Sequence, residues 1–368
     1  MNQLRAAFAA AILFTVLLAS CGLNREKTAA LAPVDQARIM LEAEQAPAKA
    51  VPFTPREFEP YLGGRWIGQA VSYGCYREGQ APGGTGPSPE EILEDLNIIT
   101  RHWNLIRVYN ADDDTRRILE MIRDRQLPVK VMLGIWLEGE ANRPAAKQAN
   151  IGNTLRAIEL ANQFPEIVAA VNVGNETQVF WSGHKLDKDL LLKYIRVTRA
   201  NVAVPVTTAD DYNFWNKAES LEVAAELDFI VTHIYPLWNG KTLENAIPWL
   251  DATYQGLRQT HPDKLLVLGE IGWATKYDPS KQGDGEQGSL IKGEVGISAQ
   301  EQFLRDLDAW INGNQVTTFL FEAFDEPWKG GGANTGPNEI EKNWGVFNAD
   351  RTPKASFSNF QTYKQQRN

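Results

Sequence analysis

The stretch Ala169–Gln178 reads AAVNVGNETQ: an apolar run breaks at Gly174 and then presents Asn175 and Glu176. A second apolar run, KLLVLGEIGW, delivers Glu270 three residues before Trp273. A carboxylate left unpaired at the end of a buried strand is costly, so two of them call for a chemical use. Two opposed glutamates can cleave a glycosidic bond. One carboxyl stays protonated and gives its proton to the leaving oxygen, while the other is ionised and attacks the sugar carbon from the opposite face. If the anomeric configuration is retained, the two carboxyls lie about 5–5.5 Å apart. Asn175 adds an amide suited to hydrogen-bonding the sugar 2-hydroxyl.

Such positions need a rigid frame. Eight apolar, β-branched runs recur along the chain: WIGQAVSYG, WNLIRVYN, LPVKVMLGIWL, EIVAAVNVGNE, AVPVTTADD, LDFIVTHIYP, KLLVLGEIGW and VTTFLFEAFDE. Between them lie amphipathic segments at 89–100, 112–125, 147–164, 188–201, 216–226, 243–260 and 299–312. Strand alternating with helix predicts parallel βα units, and eight of them predict a closed (β/α)8 TIM barrel. SPEE at 88–91 is a helix start, with a Ser N-cap, Pro in the first turn and acids at the positive end of the dipole. The DDD run at 112–114 is read the same way rather than as a calcium site. The runs turn polar or aromatic as they end: Arg107 and Tyr109, Trp136 and Glu138, Asp210 and Asp211, His233 and Tyr235, Glu322 and Glu326. In a barrel those ends converge on one rim, the face where active sites form. Glu176 and Glu270, closing the fourth and seventh strands, then face each other across its mouth.

The chain has 368 residues, 43% of them hydrophobic, with 11 Trp, 10 Tyr and 15 Phe, ample for one large core. A net charge of −9 argues against a nucleic-acid or anionic-membrane surface. The N-terminus carries Arg5, an apolar stretch from Ala6 to Ala19, and then LASC ending at Cys21. That stretch is short for a spanning helix and matches an export signal. LASC matches the lipobox of bacterial lipoproteins, which predicts cleavage before Cys21 and diacylation of its thiol. Gly22, where Asp would retain the protein at the inner membrane, predicts the outer membrane. The expected layout is a signal peptide at 1–20, a lipidated Cys21 with a flexible tether to about 60, and a catalytic domain over 61–368. A short helix is expected within the tether, from Asp35 to Glu44. Cys75 is expected to be a small buried residue rather than a nucleophile.

VGNE at 173–176, GEIGW at 269–273, FEAFDEPWK at 321–329 and WGVFNADRTPK at 344–354 together resemble glycoside hydrolase family 17. The resemblance runs from about Trp66 to Phe357. It implies a β-1,3-glucan substrate and a retaining double displacement, with Glu176 as general acid/base and Glu270 as nucleophile. It implies that Glu326 and Lys329 are an auxiliary acid and base near the nucleophile, that the Tyr235 hydroxyl lies beside it, and that Tyr73 and Tyr109 are rim tyrosines. Ala274 after Gly-Trp and the spacer in DEPWK set the chain apart from plant members and align it with a bacterial branch. Lys329 is expected to keep Glu270 or Glu326 ionised.

Pyranose rings stack their C–H faces on aromatic planes, so Trp136, Trp273 and Trp328 join Tyr73, Arg107, Tyr109, Asp210, His233 and Glu322 as the expected sugar-binding set. Trp181 and Trp238 also follow strand ends, whereas Trp103, Trp215, Trp249 and Trp310 fall on helical segments and are expected to pack. The segment 277–296 is read as a long loop bordering the cleft. No cofactor is expected, and the four histidines show no metal-ligand spacing. The expected partners are a β-glucan and, through the anchor alone, a membrane; the protein is expected to be a monomer. Two alternatives use the same residues differently: a glucan transglycosylase, in which sugar replaces water as acceptor, and a non-catalytic glycan-binding lipoprotein. A third is a glycosidase of the same barrel acting on mannan or cellulose, since fold alone does not give substrate.

Overall fold

The computed structural model describes residues 32–43, 52–280, 287–330 and 336–367. The export signal, Cys21 and part of the expected tether lie outside the described residues. Eight parallel strands close into a barrel: β1 Gln69–Ser72, β2 Leu105–Val108, β3 Lys130–Ile135, β4 Val168–Asn175, β5 Val206–Asp211, β6 Ile230–His233, β7 Leu266–Ile271 and β8 Thr318–Leu320. They pair in chain order, and β8 joins β1 through Thr318 opposite Gln69. Each expected strand is present. A tight two-stranded hairpin, Tyr61–Leu62 with Arg65–Trp66, precedes the barrel.

The chain separates two layers of apolar side chains. Inward-facing residues of successive strands, among them Ala70, Leu105, Met132, Ala170, Ala209, Val231, Val267 and Phe319, fill the barrel interior. Outward-facing residues pack under the helices. The helices start where their caps say they must. Ser88 and Glu91 form a reciprocal capping box, and the Asp112 carboxylate accepts the Thr115 N–H at 2.9 Å. The long helix expected at 216–226 is instead two short ones, Tyr212–Trp215 and Ser220–Ala225. A final helix, Ala355–Arg367, was not expected; it packs on the Ile297–Asn314 helix.

The expected tether is partly structure. Pro33–Glu42 is a helix whose Ala37 and Leu41 are buried against the helices Pro144–Gln163 and Lys188–Asn201. Lys193 Nζ donates to the carbonyls of Leu41 at 2.7 Å and Ala43 at 2.8 Å, which satisfies the end of that helix. Residues 52–60 run beneath the barrel. There Phe58 stacks on Phe229 with centroids 4.5 Å apart, and the Arg56 N–H donates to Asp228 at 2.8 Å. Apolar residues this sparse in a polar segment give no periodicity, so the anchoring contacts do not register in the sequence. Among the described residues no helix is long and apolar enough to cross a membrane.

Candidate active site

The fourth strand explains the VGNE motif. β4 loses register with β5 between Asn172, opposite Thr207, and Asn175, opposite Ala209. The extra residue makes a bulge, a device that re-aims a side chain at the rim of a barrel. Gly174 turns there with φ +80, which favours glycine, and the Asn172 amide donates to its carbonyl at 2.8 Å. Glu176 follows with φ +49, an uncommon conformation for a residue with a Cβ, while its N–H donates to Ala209 O at 2.9 Å. The strand therefore delivers Asn175 and Glu176 on successive positions, both over the barrel mouth.

On β7 a second irregularity sets Glu270 opposite His233. Gly269 allows it: a Cβ there would stand 2.3 Å from Val231 Cγ1 and 3.1 Å from the His233 ring. Glu270 is buried, and its carboxylate is held at both oxygens. Oε1 accepts from Arg107 Nη1 at 2.6 Å and from the Tyr109 hydroxyl at 2.9 Å; Oε2 accepts from the Tyr235 hydroxyl at 2.7 Å. Burial by itself would raise the Glu270 pKa. The charges of His233 and Arg107, with the bonds from Tyr235 and Arg107, outweigh burial and bring it down to about 2. Glu270 is thus an anion at any working pH. The other arm of the guanidinium, Nη2, donates to Asn175 Oδ1 at 2.5 Å. That fixes the Asn175 amide with its NH2 group turned the other way, the orientation a sugar hydroxyl would need.

His233 joins the two acids. Its ring is fully buried; Nδ1–H donates to Glu176 Oε1 at 2.8 Å and Nε2 lies 3.5 Å from Glu270 Oε1. One oxygen of each glutamate and one ring nitrogen all lie within 4.8 Å of one another. Burial disfavours the imidazolium, but the two carboxylates outweigh it and raise the His233 pKa. Two carboxylates and an imidazole are also a donor set for a divalent cation. Here Glu270 Oε1 already accepts two hydrogen bonds, one from a buried guanidinium. The chemistry fits a charge-paired carboxylate better than a metal ligand.

A cavity of about 410 Å³ opens beside this centre. Asn175, Glu270 and four of the expected aromatics, Tyr73, Tyr109, Trp136 and Trp328, wall it. Tyr73 presents only part of its ring, because its hydroxyl donates to buried Asp95 at 3.1 Å. Glu326 and Lys329 share the wall. Lys329 Nζ lies 2.9 Å from Glu322 and 2.5 Å from Glu326. Burial and the neighbouring Glu326 charge push Glu322 well up, whereas Lys329 and the bond from Glu322 hold Glu326 down despite its burial. The two acids are thus pushed in opposite directions, with Lys329 lying against both. Lys329 therefore favours the ionised form of Glu326, and His233 and Arg107, not Lys329, do so for Glu270.

Several expected sugar contacts are instead supports. Arg107, 1% exposed, lies under Glu270. Asp210 accepts the N–H groups of Gln178 at 2.8 Å and Val179 at 3.2 Å, and so anchors the chain that follows Glu176. Burial and the Glu176 charge, opposed by the backbone N–H groups of Gln178 and Asp211, raise its pKa to about 7. His233 and Glu322 are likewise buried and committed to partners. Trp273 is 1% exposed; its indole N–H donates to Glu294 O at 2.9 Å and its ring packs on Phe303. Two places past the end of β7 the chain has turned this side chain into the layer under the helices, so Trp273 offers no face to a sugar. Trp103, Trp215 and Trp310 are buried, as expected of packing residues, and Cys75 is buried too. Tyr76 and Asn110 also wall the cavity. Neither was expected, although Asn110 closes the run WNLIRVYN and Tyr76 lies two places past WIGQAVSYG: the position was legible there and the use of the side chain was not.

Residues 70–345 match the model of the BtgE/BtgC glycoside hydrolase domain. A putative glucan endo-1,3-beta-glucosidase btgC of Aspergillus niger is 29% identical over 73% of this chain, which spans 40% of that longer protein. A glucan 1,3-beta-glucosidase of Arthroderma benhamiae is 28% identical over 74% of this chain and 86% of its own length. Among solved structures, an endo-laminarinase from Formosa Hel1_33_131 superposes with a TM-score of 0.70 at 22% identity, covering 81% of this chain and 88% of that one. A glycoside hydrolase family 17 beta-1,3-glucanosyltransferase from Rhizomucor miehei gives a TM-score of 0.61 at 22% identity, covering 78% and 96%. The two structural likenesses establish the barrel, and the domain match establishes descent: the chain belongs to the BtgE/BtgC glycoside hydrolases, in line with the family 17 resemblance of its motifs.

Proposed function

We propose that the protein cleaves β-1,3-glucan by a retaining double displacement, with Glu270 as nucleophile and Glu176 as general acid/base. The observation that carries this is the pair of carboxylates within 4.8 Å. The approach of one oxygen of each to within that distance supports the close pairing of retaining enzymes, about 5–5.5 Å between carboxyls, over the ~6.5–9.5 Å that inversion needs to admit a water. In the first step a Glu270 oxygen bonds to the anomeric carbon. The glycosidic C–O bond breaks, and Glu176 gives its proton to the departing oxygen. In the second step Glu176 takes a proton from the incoming hydroxyl as that oxygen displaces Glu270. The acceptor is water in hydrolysis and a sugar hydroxyl in transfer. Arg107, Tyr109 and Tyr235 hold the nucleophile in line, and the Asn175 NH2 group faces the bound sugar.

Three donors converging on Glu270 speak for catalysis over passive glycan binding, since a binding protein gains nothing from a buried anion held so firmly. The β-1,3 linkage is supported by the names of the relatives. Reducing-end release from laminarin tests the reading. The native protein should release sugar, and Glu176→Gln and Glu270→Gln should each nearly abolish it. Near-native rates in either variant would overturn the assignment.

We further propose export and lipidation at Cys21, supported by the LASC sequence behind an apolar stretch. Palmitate labelling of native protein, lost in Cys21→Ser, is the expected result; equal labelling of both would refute it.

A further inference from the structure

Beyond Glu176 the chain forms a loop, residues 177–187, that carries two adjacent aromatics into solvent. Phe180 is 68% exposed and Trp181 48%, with their rings edge to face at 4.8 Å. Large apolar side chains grouped in water mark a contact surface. The loop that holds them is firmly tied. Asp210 accepts from Gln178 and Val179, the Leu186 N–H donates to Thr177 O at 3.1 Å, and the His184 ring donates to Asn175 O at 2.7 Å.

Direction comes from the cavity. Asn175 and Glu270 lie on its wall, which is built by segments after β1, β2, β3 and β8, and Glu176 does not. The sugar that Glu270 attacks belongs on the cavity side. Glu176 serves the opposite side, where the leaving oxygen departs. Lys217, from the segment after β5, sits 5.4 Å from the Phe180 ring centre, so the pair leans towards β5 and away from the cavity.

We propose that Phe180 and Trp181 are a stacking platform for glucosyl units on the leaving-group side of the cleft. The same ground receives an acceptor sugar in the second step, so the platform sets both chain-length preference and the share of transfer. The proposal rests on the roles given above to Glu176 and Glu270.

Two substrates separate the possibilities. β-Laminaribiosyl fluoride has a leaving group too small to reach the platform, whereas laminarihexaose extends across it. In the double variant Phe180→Ala/Trp181→Ala, kcat/KM on laminarihexaose should fall roughly tenfold, the scale of two lost ring contacts. Products of transfer to added laminaribiose should fall with it, and fluoride release should stay within about twofold. Phe180→Tyr and Trp181→Tyr, which keep a ring, should retain hexaose activity. Unchanged hexaose cleavage in the double variant would overturn the proposal. So would an equal loss on both substrates, which would mean that the loop under Glu176 had shifted. If the native protein fails to release fluoride at all, it is the assignment of Glu270 and Glu176 that falls.

Discussion

Replacing Arg107 by Met removes a buried cation and keeps an apolar stem of similar length. Its Nη1 lies 2.6 Å from Glu270 Oε1. With charge centres about 4 Å apart and an effective dielectric of about 20, the pair is worth about 4 kcal/mol. At about 1.4 kcal/mol per factor of ten, that is roughly three powers of ten in the protonation equilibrium of Glu270. In the native protein Glu270 is held at about 2, below the range in which a glycosidase is assayed. In Arg107→Met the protonated, unreactive form should enter that range. The assay is kcat/KM against pH on β-laminaribiosyl fluoride, whose leaving group needs little help from an acid, so the acid limb reports the nucleophile. Native activity should stay flat towards low pH, and the variant should lose activity as the pH falls through mildly acidic values. Breaking a buried pair also costs about 3–5 kcal/mol of stability, so the profile is taken below the melting temperature of the variant, itself expected to be lowered. A folded variant whose acid limb does not move would show that Arg107 is not what keeps Glu270 ionised.

The depressed Glu270 pKa also links to stability. The contribution is present above the ordinary value of 4.5 and should be lost as the pH falls towards about 2, a loss that denaturant titrations of native protein should detect and Glu270→Gln should lack. Trp273→Ala should lower stability by about 3–5 kcal/mol as a cavity in the core, whereas Trp328→Ala should leave the melting temperature near native and raise KM; the opposite pattern would restore Trp273 as a sugar platform. Phe58→Ala should cost about 3–5 kcal/mol, and a change within ~0.5 kcal/mol would return residues 52–60 to the tether. Azide should rescue Glu176→Ala and Glu270→Ala with opposite product anomers, and identical anomers would exclude the division of roles.

The barrel was legible because each strand is a compact apolar run and each helix an amphipathic one, so the alternation fixes both layers. Glu176 and Glu270 were legible for a related reason: a carboxylate at the end of a buried strand has no cheap structural use. Partners were harder to see. Arg107 and Lys329 are both cations near acids, and only the fold decides that Arg107 reaches across the barrel to Glu270 while Lys329 folds back on Glu322 and Glu326. Trp273 illustrates the same limit. Its place after Glu270 is fixed by sequence, but the direction of its side chain depends on how the chain turns at Gly272, where a Cβ would meet Phe321 O at 2.0 Å. The docking of Phe58 and Leu41 left no periodic trace because each contact involves one or two side chains reaching a surface built elsewhere.

The stereochemistry of the first product tests the central claim most directly. Proton NMR of laminarihexaose, recorded within the first minutes after enzyme is added and before the sugar mutarotates, distinguishes the two anomers at the newly formed reducing end. A β anomer appearing first is the expected result of two displacements through Glu270. An α anomer appearing first would mean a single displacement by water, and would contradict the account of Glu270 as nucleophile.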